Sequence, residues 1–308
     1  MHEVELSEAE RGQRLDRHLR KLLPDVPLSG IFKLLRRGTI RIDGKKAKPD
    51  LRLAAGMLLT LPDNLGESAG ATPRPAPPPA PAPRLLTPSI IYRDEALLVV
   101  NKPAGLPVQP GSGHDFHLVG WLDEQPFGVR TATYRPAPVH RLDRGTSGLV
   151  VVGLTPQAAR SLSNAFREGQ VKKIYTAVVE GHPSPGQGTI DAPLWLRETA
   201  RATQPKVHVD ERGKRAVTDY EVLQRGRRRA LLRVTLRTGR THQIRAHMAH
   251  IGHPIVGDQR YGSTADLGRG QFLLHASEVL FPHPDTGEPV HLVSELPARL
   301  SRAIDERW

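Results

Sequence analysis

One carboxylate in this chain of 308 residues stands in a setting that suits chemistry. Asp143 lies between Arg141 and Arg144, in a turn of small residues that leads into the apolar run 148–154. A turn that feeds a buried strand holds its side chains rigidly, as a catalytic group requires. Taken alone, however, the pattern favours a simple Arg–Asp ion pair that closes a loop.

The same segment also contains the residue types of a hydrolytic triad. His140, Ser147 and Asp143 could in principle act as base, nucleophile and orienting acid. The chain contains no G-x-S-x-G elbow, the turn that usually presents such a serine. The sequence therefore gives this alternative little support.

Three histidines near the C-terminal third suggest a metal site as another alternative. His247, His250 and His253 are three residues apart, with His242 five residues before the first, and residues at this spacing share a helix face. A metal-dependent hydrolase would use such a face, but the H-E-x-x-H pattern is absent and no adjacent Asp or Glu completes a ligand set. We therefore favour structural or RNA-facing histidines and expect no metal.

Arg245 and Tyr175 are the residues that could assist Asp143. A guanidinium beside Asp143 would favour the ionised carboxylate and could fix its orientation through a bidentate contact. Tyr175 lies in an alternating segment, where a tyrosine most often serves packing. In an RNA site, its ring could instead stack on an extruded base.

The composition favours a nucleic-acid partner. The net charge is +12, and a protein this basic often binds a polyanion, although an Arg-rich composition can also reflect genome bias. The absence of cysteine excludes disulfides, thiolate zinc sites and cysteine nucleophiles. The polar N-terminus predicts no signal peptide and the apolar runs are too short to cross a bilayer, so we expect a cytoplasmic protein without membrane contact.

Residues 1–62 predict a small α+β domain. A first helix is expected from the spacing of Leu15, Leu19 and Leu22, and Ser29 is expected to cap a second. Asp43 and Gly44 predict a hairpin. Basic residues cluster on the second helix and the hairpin: Lys33, Arg36, Arg37, Lys45 and Lys46. Such a run is most often a solvated face, but its position beside a compact turn favours contact with phosphates.

A proline-rich segment separates this domain from the rest of the chain. Seven of the fourteen residues of 71–84 are proline, which disfavours sheet pairing and favours polyproline II. We place a linker at 63–88 and a second domain at 89–308.

The second domain predicts an α+β fold with a mixed or antiparallel sheet. Strands are expected at four apolar or alternating segments: 96–100, 148–154, 172–181 and 229–239. One helix should run from Thr155 to Gly169 and another from Thr241 to Gly252. The inward face of the first is expected to contain Ala159, Leu162 and Phe166. No dinucleotide or P-loop motif occurs in a strand-to-helix context, so no nucleotide cofactor is predicted.

Four segments of this domain resemble, in order, motifs of the RluA-type pseudouridine synthases. They are VVNKPAGLPV (99–108), HRLDRGTSGLVVV (140–152), KKIYTAVVEG (172–181) and GRTHQIRAHMAHIGHPIVGDQRYG (239–262). The resemblance spans about 89–295, and residues 12–62 resemble the small RNA-binding domain of the ribosomal-protein S-four type. The segment 114–138 matches the family weakly, which leaves substrate selection open.

The resemblance implies the pseudouridine synthase fold and a reaction without cofactor or metal, in which uracil is detached, rotated and rejoined through carbon 5. Asp143 falls on the catalytic Asp of the family, Tyr175 on its active-site Tyr and Arg245 on the Arg that pairs with the catalytic Asp. Asp143 would attack the sugar as a nucleophile or abstract a sugar proton, and the sequence leaves both routes open. Arg141 and Arg144 are expected to contact RNA beside it.

The implied partner is structured RNA. The N-terminal domain resembles that of members acting on large-subunit (23S) ribosomal RNA, so we expect a target there, with transfer RNA as the alternative. The small domain would raise the local concentration of substrate near the active site. A non-catalytic RNA-binding or ribosome-assembly factor would explain the charge, but not the set of Asp143, Tyr175 and Arg245. A monomer is the simplest expectation.

Overall fold

The computed structural model describes residues 2–23, 26–62, 86–110, 116–197, 206–268 and 270–305. They group into two compact units. The first consists of Met1–Pro81, Pro126–Pro136 and Leu154–Gln157, and the second of Ala82–Gln125, Ala137–Gly153 and Ala158–Trp308. The proline-rich segment 71–84 and most of the predicted linker lie outside the described residues, so the domain boundaries stay a prediction.

Among its described residues, the first unit contains two helices and a small antiparallel sheet. The helices are α1 (Leu15–Leu22) and α2 (Leu28–Arg37), and the strands are β1 (His2–Glu5), β2 (Arg41–Ile42), β3 (Lys45–Lys46) and β4 (Leu58–Leu61). The sheet has the order β1-β4-β2-β3, and the predicted hairpin forms its β2–β3 edge. Apolar residues of both helices pack on this sheet in one core.

The start of α2 differs from the prediction. Pro27 is the N-cap residue, and its carbonyl accepts hydrogen bonds from Gly30 and Ile31. Ser29 therefore lies inside the first turn and does not cap the helix. Proline supplies the fixed φ that suits the start of a helix, which the local pattern around Ser29 did not reveal.

The second unit is built on a ten-stranded mixed sheet, as predicted. Its strands are β5 (Ser89–Arg93), β6 (Leu97–Lys102), β7 (Ala137–Pro138), β8 (Ser147–Gly153), β9 (Lys172–Glu180), β10 (Gln187–Asp191), β13 (Val217–Arg225), β14 (Arg229–Leu236), β15 (Leu274–Pro282) and β16 (Pro289–Val293). The main order is β10-β13-β14-β9-β15-β8-β6-β5, and a separate hairpin pairs β11 (Leu194–Arg197) with β12 (Lys206–Val209). Among these pairs, β15 and β8 run parallel and the others antiparallel.

In the described part of this unit, four helices accompany the sheet: α3 (Leu118–Asp123), α4 (Pro156–Glu168), α5 (Gln243–His250) and α6 (Ala298–Asp305). The buried face of α4 consists of Ala158, Leu162 and Ala165, so the predicted face was only partly right. Phe166 is half-buried: it packs against the outside of the core, and its ring stacks on that of His140 with the ring centres 4.6 Å apart.

The helix predicted from Thr241 begins later, at Gln243, because His242 has a left-handed backbone. Across the part of the chain that the structure describes, no helix combines the length and apolar character needed to span a membrane.

Candidate active site

A cavity of about 590 Å³ lies in the second unit and gathers segments that are far apart in sequence. Its lining comes from the loop before β8, the end of α4, two residues of β9 and the segment 236–245. Asp143, Tyr175 and Arg245 all line it. The structure thus places the three predicted site residues around one space.

The loop that carries Asp143 is held by its neighbours. Leu142 is buried, and the Thr146 amide donates to the Asp143 carbonyl at 3.1 Å. On the other side, the Gly105 amide donates to the Arg144 carbonyl at 2.8 Å. The Gly105 contact connects the loop to the segment after β6. Together, these hydrogen bonds restrict the conformation of the turn that carries the Asp143 carboxylate.

Lys102, at the end of β6, is a completely buried lysine that braces the same loop. Its Nζ donates to the carbonyls of Leu106 (2.8 Å), Pro103 (3.2 Å) and Arg144 (3.3 Å). Burial lowers the pKa of Lys102 to about 7, while the negative charge of Asp143 acts in the opposite direction. A lysine inside an apolar strand was the signal that could have identified this position, because lysine is seldom buried without partners.

Arg245 joins Asp143 to a second carboxylate, Asp258. Its Nη1 donates to Asp143 Oδ2 at 2.9 Å, while its Nε and Nη2 donate to Asp258 at 2.6 and 2.9 Å. The bidentate contact expected for Asp143 is therefore made with Asp258, and Arg245 donates a single hydrogen bond to Asp143. The Asp258 side chain is only 2 % exposed, whereas that of Asp143 is 21 % exposed. The more deeply buried carboxylate therefore accepts both hydrogen bonds from the Nε–Nη2 edge of the guanidinium.

Two aromatic rings lie against the guanidinium of Arg245. Its guanidinium lies 4.5 Å from the centre of the Phe272 ring and 4.9 Å from that of Tyr261. Burial alone would lower its pKa, but the hydrogen bonds and charges of Asp258 and then Asp143 raise it. Arg245 is thus a permanent cation. Asp258 was missed at the sequence level, although it lies in the motif segment 239–262.

Tyr175 lies on β9 between β14 and β15, with Val234 and Ala276 as its cross-strand partners. Its side chain is buried and lines the cavity. Burial, and then the negative charge of Asp143, raise the pKa of its phenol. The ring therefore offers a neutral aromatic surface beside the carboxylate.

The residues of the suggested triad do not come together. Ser147 Oγ and His275 Nδ1 are 2.8 Å apart, while His140 Nε2 accepts a hydrogen bond from the Val151 amide. Burial lowers the pKa of His140 to about 3, so its ring is neutral. The triad alternative is therefore wrong.

Two of the three clustered histidines have separate hydrogen-bonding partners within the fold. His247 contacts Thr218 and the Ala192 carbonyl, and His253 contacts the Glu180 carbonyl. Within the described ranges, no group of three or more His, Asp or Glu side chains is arranged to hold a metal ion. The contacts of His247 and His253 fit the structural alternative, whereas His250 is exposed, and the choice between structural and RNA-facing histidines stays a prediction.

Basic side chains surround the cavity. Arg141 and Arg144 are exposed on the Asp143 loop, and Arg144 Nε donates to the Gly105 carbonyl. Four further basic residues of the lining were not singled out from the sequence: Arg167, Lys173, Arg237 and Arg240. In the first unit, all five predicted RNA-contacting residues are exposed: Lys33, Arg36, Arg37, Lys45 and Lys46.

The chain is similar to known proteins of one family. The family model described as RNA pseudouridylate synthase matches residues 96–250. The ribosomal large subunit pseudouridine synthase C of Vibrio cholerae is 34% identical over 307 residues, covering 98% of this chain and 95% of that protein. Its namesake from Escherichia coli K12 is 34% identical over 314 residues with the same coverage.

Solved structures of human proteins share the fold. Human RNA pseudouridylate synthase domain containing 1 is 30% identical with a TM-score of 0.58, covering 70% of this chain and 86% of that one. Human RNA pseudouridylate synthase domain containing 4 is 26% identical with a TM-score of 0.56, covering 70% and 92%. As the RluA-type motifs predicted, the chain belongs to the RNA pseudouridylate synthase family.

Proposed function

We propose that this RNA pseudouridine synthase isomerises specific uridines of large-subunit ribosomal RNA, with Asp143 as its catalytic carboxylate. The observation that carries the proposal is the meeting of Asp143, Tyr175 and Arg245 around one cavity, with Arg245 bonded to Asp143 at 2.9 Å. These residues come from three separate motif segments, and the fold brings them to one place.

A target uridine must leave its stack to reach this cavity, which costs a few kcal/mol. A volume of about 590 Å³ is ample for one nucleoside. Tyr175 would stack on the extruded base, and the basic side chains at the cavity would hold the phosphates on either side. Contacts with the RNA thus offset the cost of extrusion.

Asp143 would act on the ribose by one of two routes, as a nucleophile or as a base. As a nucleophile, it forms an O–C1′ bond while the N1–C1′ bond breaks and the electron pair leaves with the uracil. As a base, it takes the proton from C2′ while the same bond breaks and a glycal forms. In both routes the uracil turns and carbon 5 bonds to C1′, while the O–C1′ bond to Asp143 breaks in the first route or Asp143 returns the proton to C2′ in the second. The proton on carbon 5 is then lost and N1 takes up a proton, so that the product is an isomer of the substrate. Arg245, which donates to Asp143 Oδ2, orients the carboxylate in both routes.

The substrate class follows from the relatives and from the charge. Proteins named ribosomal large subunit pseudouridine synthase C match this chain over nearly their full length. The first unit also carries the exposed basic cluster of α2 and the β2–β3 hairpin. These features favour ribosomal RNA over transfer RNA, with the first unit delivering the substrate. Action on ribosomal RNA also favours a cytoplasmic protein, and we propose that it acts as a monomer.

The catalytic assignment is tested with Asp143→Asn, which keeps the shape of the side chain and removes its charge. We expect no pseudouridine in treated RNA, detected by carbodiimide labelling, and RNA binding near that of the unmodified protein. Asp285→Asn, an exposed aspartate of the β15–β16 turn, is the matched control and should be fully active. Normal modification by Asp143→Asn would reject the assignment.

The substrate assignment is tested by mapping pseudouridine in cellular RNA with and without the protein. We expect one or more sites to disappear from large-subunit ribosomal RNA and to return when the intact chain is restored. Loss of sites from transfer RNA alone would show that the substrate was wrongly chosen, without affecting the role of Asp143.

A further inference from the structure

His242 has an unusual backbone at the cavity wall. It precedes α5 with φ 54 and ψ 21, in the left-handed region, which residues with a side chain seldom adopt. As the N-cap residue it makes no side-chain capping hydrogen bond. Strained backbone of this kind tends to occur where the surroundings enforce it for function. Here it places the imidazole between Tyr261 and Asp143.

The contacts of Tyr261 determine which nitrogen of His242 carries the proton. The buried Tyr261 hydroxyl accepts a hydrogen bond from the Val207 amide at 3.3 Å, and an amide N–H can only donate. The hydroxyl proton is then directed to His242 Nδ1, 3.0 Å away. The opposite arrangement would leave a buried hydroxyl proton without an acceptor among the residues described. His242 Nδ1 is therefore the acceptor and Nε2 carries the hydrogen.

That Nε2–H group faces Asp143. Nε2 lies 3.7 Å from Oδ2, the same oxygen that accepts from Arg245 Nη1 at 2.9 Å. Among the described residues, Oδ1 of Asp143 accepts no hydrogen bond. Burial lowers the pKa of His242 to about 4, with Arg245 and Arg260 acting in the same direction against Asp143 and Asp258. The ring is thus a neutral donor at neutral pH.

We propose that His242, locked as the Nε2–H tautomer by Tyr261, is a positioning residue that holds Oδ2 of Asp143 together with Arg245, so that Oδ1 is the oxygen presented to the ribose. The inference rests on the proposed role of Asp143 and is the same for both chemical routes. The 3.7 Å contact shortens to a hydrogen bond when RNA closes the site, as catalytic contacts often do on substrate binding.

Two substitutions of His242 separate positioning from a structural role. The amide nitrogen of His242→Gln can reach the place of Nε2, whereas that of His242→Asn reaches only the place of Nδ1. Asn tolerates the left-handed backbone better than Gln, so a purely structural role would favour Asn. We expect His242→Gln to retain most of kcat, and His242→Asn to lose about tenfold to one-hundredfold in kcat with KM unchanged. Equal kcat for both variants, or a loss confined to KM, would overturn the proposal.

The tautomer itself is measured by nitrogen-15 NMR of histidine-labelled full-length protein without RNA, with the His242 signals assigned by their loss in His242→Gln. We expect a single Nε2–H tautomer, and a mixture of tautomers with lower kcat in Tyr261→Phe. An Nδ1–H tautomer in the unmodified protein would overturn the inference. This readout needs no activity, so it can fail while Asp143→Asn remains inactive, and an active Asp143→Asn would instead reject the proposed function.

Discussion

At the scale of single residues, three charged side chains are linked in series and end in Asp143, the proposed catalytic carboxylate. Asp258 is enclosed and bidentate to Arg245, and Arg245 reaches Asp143 with its remaining nitrogen. A buried ion pair stabilises little by itself, but removing one partner leaves an uncompensated buried charge. The two carboxylates therefore have different tasks: Asp258 fixes the cation, and the cation fixes Asp143.

Asp258→Asn tests this division. Arg245 would lose its main counter-charge, so we expect a loss of about 3–5 kcal/mol in the free energy of unfolding, together with a lower kcat as Asp143 loses its alignment. Urea unfolding and single-turnover kinetics measure the two effects. Asp266→Asn, an exposed control in the following loop, should change neither. Unchanged stability of the Asp258 variant would contradict the account.

The buried Lys102 predicts how the free energy of unfolding depends on pH. Its pKa falls from the ordinary 10.5 to about 7 on folding, so between these values the unfolded chain holds a proton that the folded protein has released. Stability from this group therefore rises with pH from about 7 to about 10.5, with a slope of at most about 1.4 kcal/mol per pH unit. Below pH 7 both states are protonated and the slope vanishes.

The measurement compares the unmodified protein with Lys102→Met by denaturant unfolding at several pH values. The difference between their free energies of unfolding should move in favour of the unmodified protein as the pH rises through this window. A difference that stays constant from about pH 7 to about pH 10 would show that burial of Lys102 is not linked to its proton.

At the scale of elements, the Asp143 loop is placed by the parallel contact of β8 with β15. Gly148 pairs with Ala276 in this contact and has φ 113, a conformation that side chains rarely adopt. A Cβ at Gly148 would collide with the backbone of Ala276. Only glycine allows the two strands to approach this closely, and the loop directly before β8 carries the carboxylate.

Gly148→Ala is compared with Gly169→Ala. Both glycines have positive φ, but a Cβ at Gly169 would meet nothing within 4 Å. Strain alone should cost Gly169→Ala about 1–2 kcal/mol, whereas strain and the collision together should cost Gly148→Ala about 2–5 kcal/mol and reduce activity. Urea unfolding of both variants gives the comparison, and equal losses would refute the role of close strand approach.

At the scale of the whole molecule, positive charge is the property that matters most for RNA. The net charge is +12, and the first unit contributes exposed basic residues from α2 and from the β2–β3 hairpin. The side chain of Lys46 lies over Gly38, which ends α2, so the hairpin and the helix present their charges side by side. Exposed basic residues that lie on neighbouring elements in this way suit phosphate binding.

Neutralising α2 with the triple change Lys33→Ala, Arg36→Ala and Arg37→Ala should weaken RNA binding and flatten its dependence on salt. The slope of log affinity against log salt is expected to fall by about 0.7–0.9 for each phosphate that the variant no longer binds. The rate at saturating RNA should stay unchanged. The charge-retaining control Lys33→Arg, Arg36→Lys and Arg37→Lys should bind nearly as the unmodified protein, and an unchanged salt slope in the alanine variant would contradict the delivery role.

Much of this architecture could be predicted from local patterns. Alternation and apolar runs predicted the central strands, Asp43 and Gly44 predicted the hairpin, and a run of motifs predicted the family. These signals are carried by residues that are neighbours in the chain, because backbone conformation and side-chain direction depend first on local sequence. Asp143 could be singled out in the same way, from the turn and strand around it.

The partners of those residues depended on the tertiary structure. Asp143 and Arg245 are 102 residues apart in the sequence. No local sequence pattern shows that Arg245 donates two hydrogen bonds to Asp258, through Nε and Nη2. The proton position on His242 likewise depends on a tyrosine and a backbone amide from distant segments. Hydrogen-bond geometry and burial arise only when the sheet brings these segments together, and they decide which atom of each side chain is occupied and which is free to react.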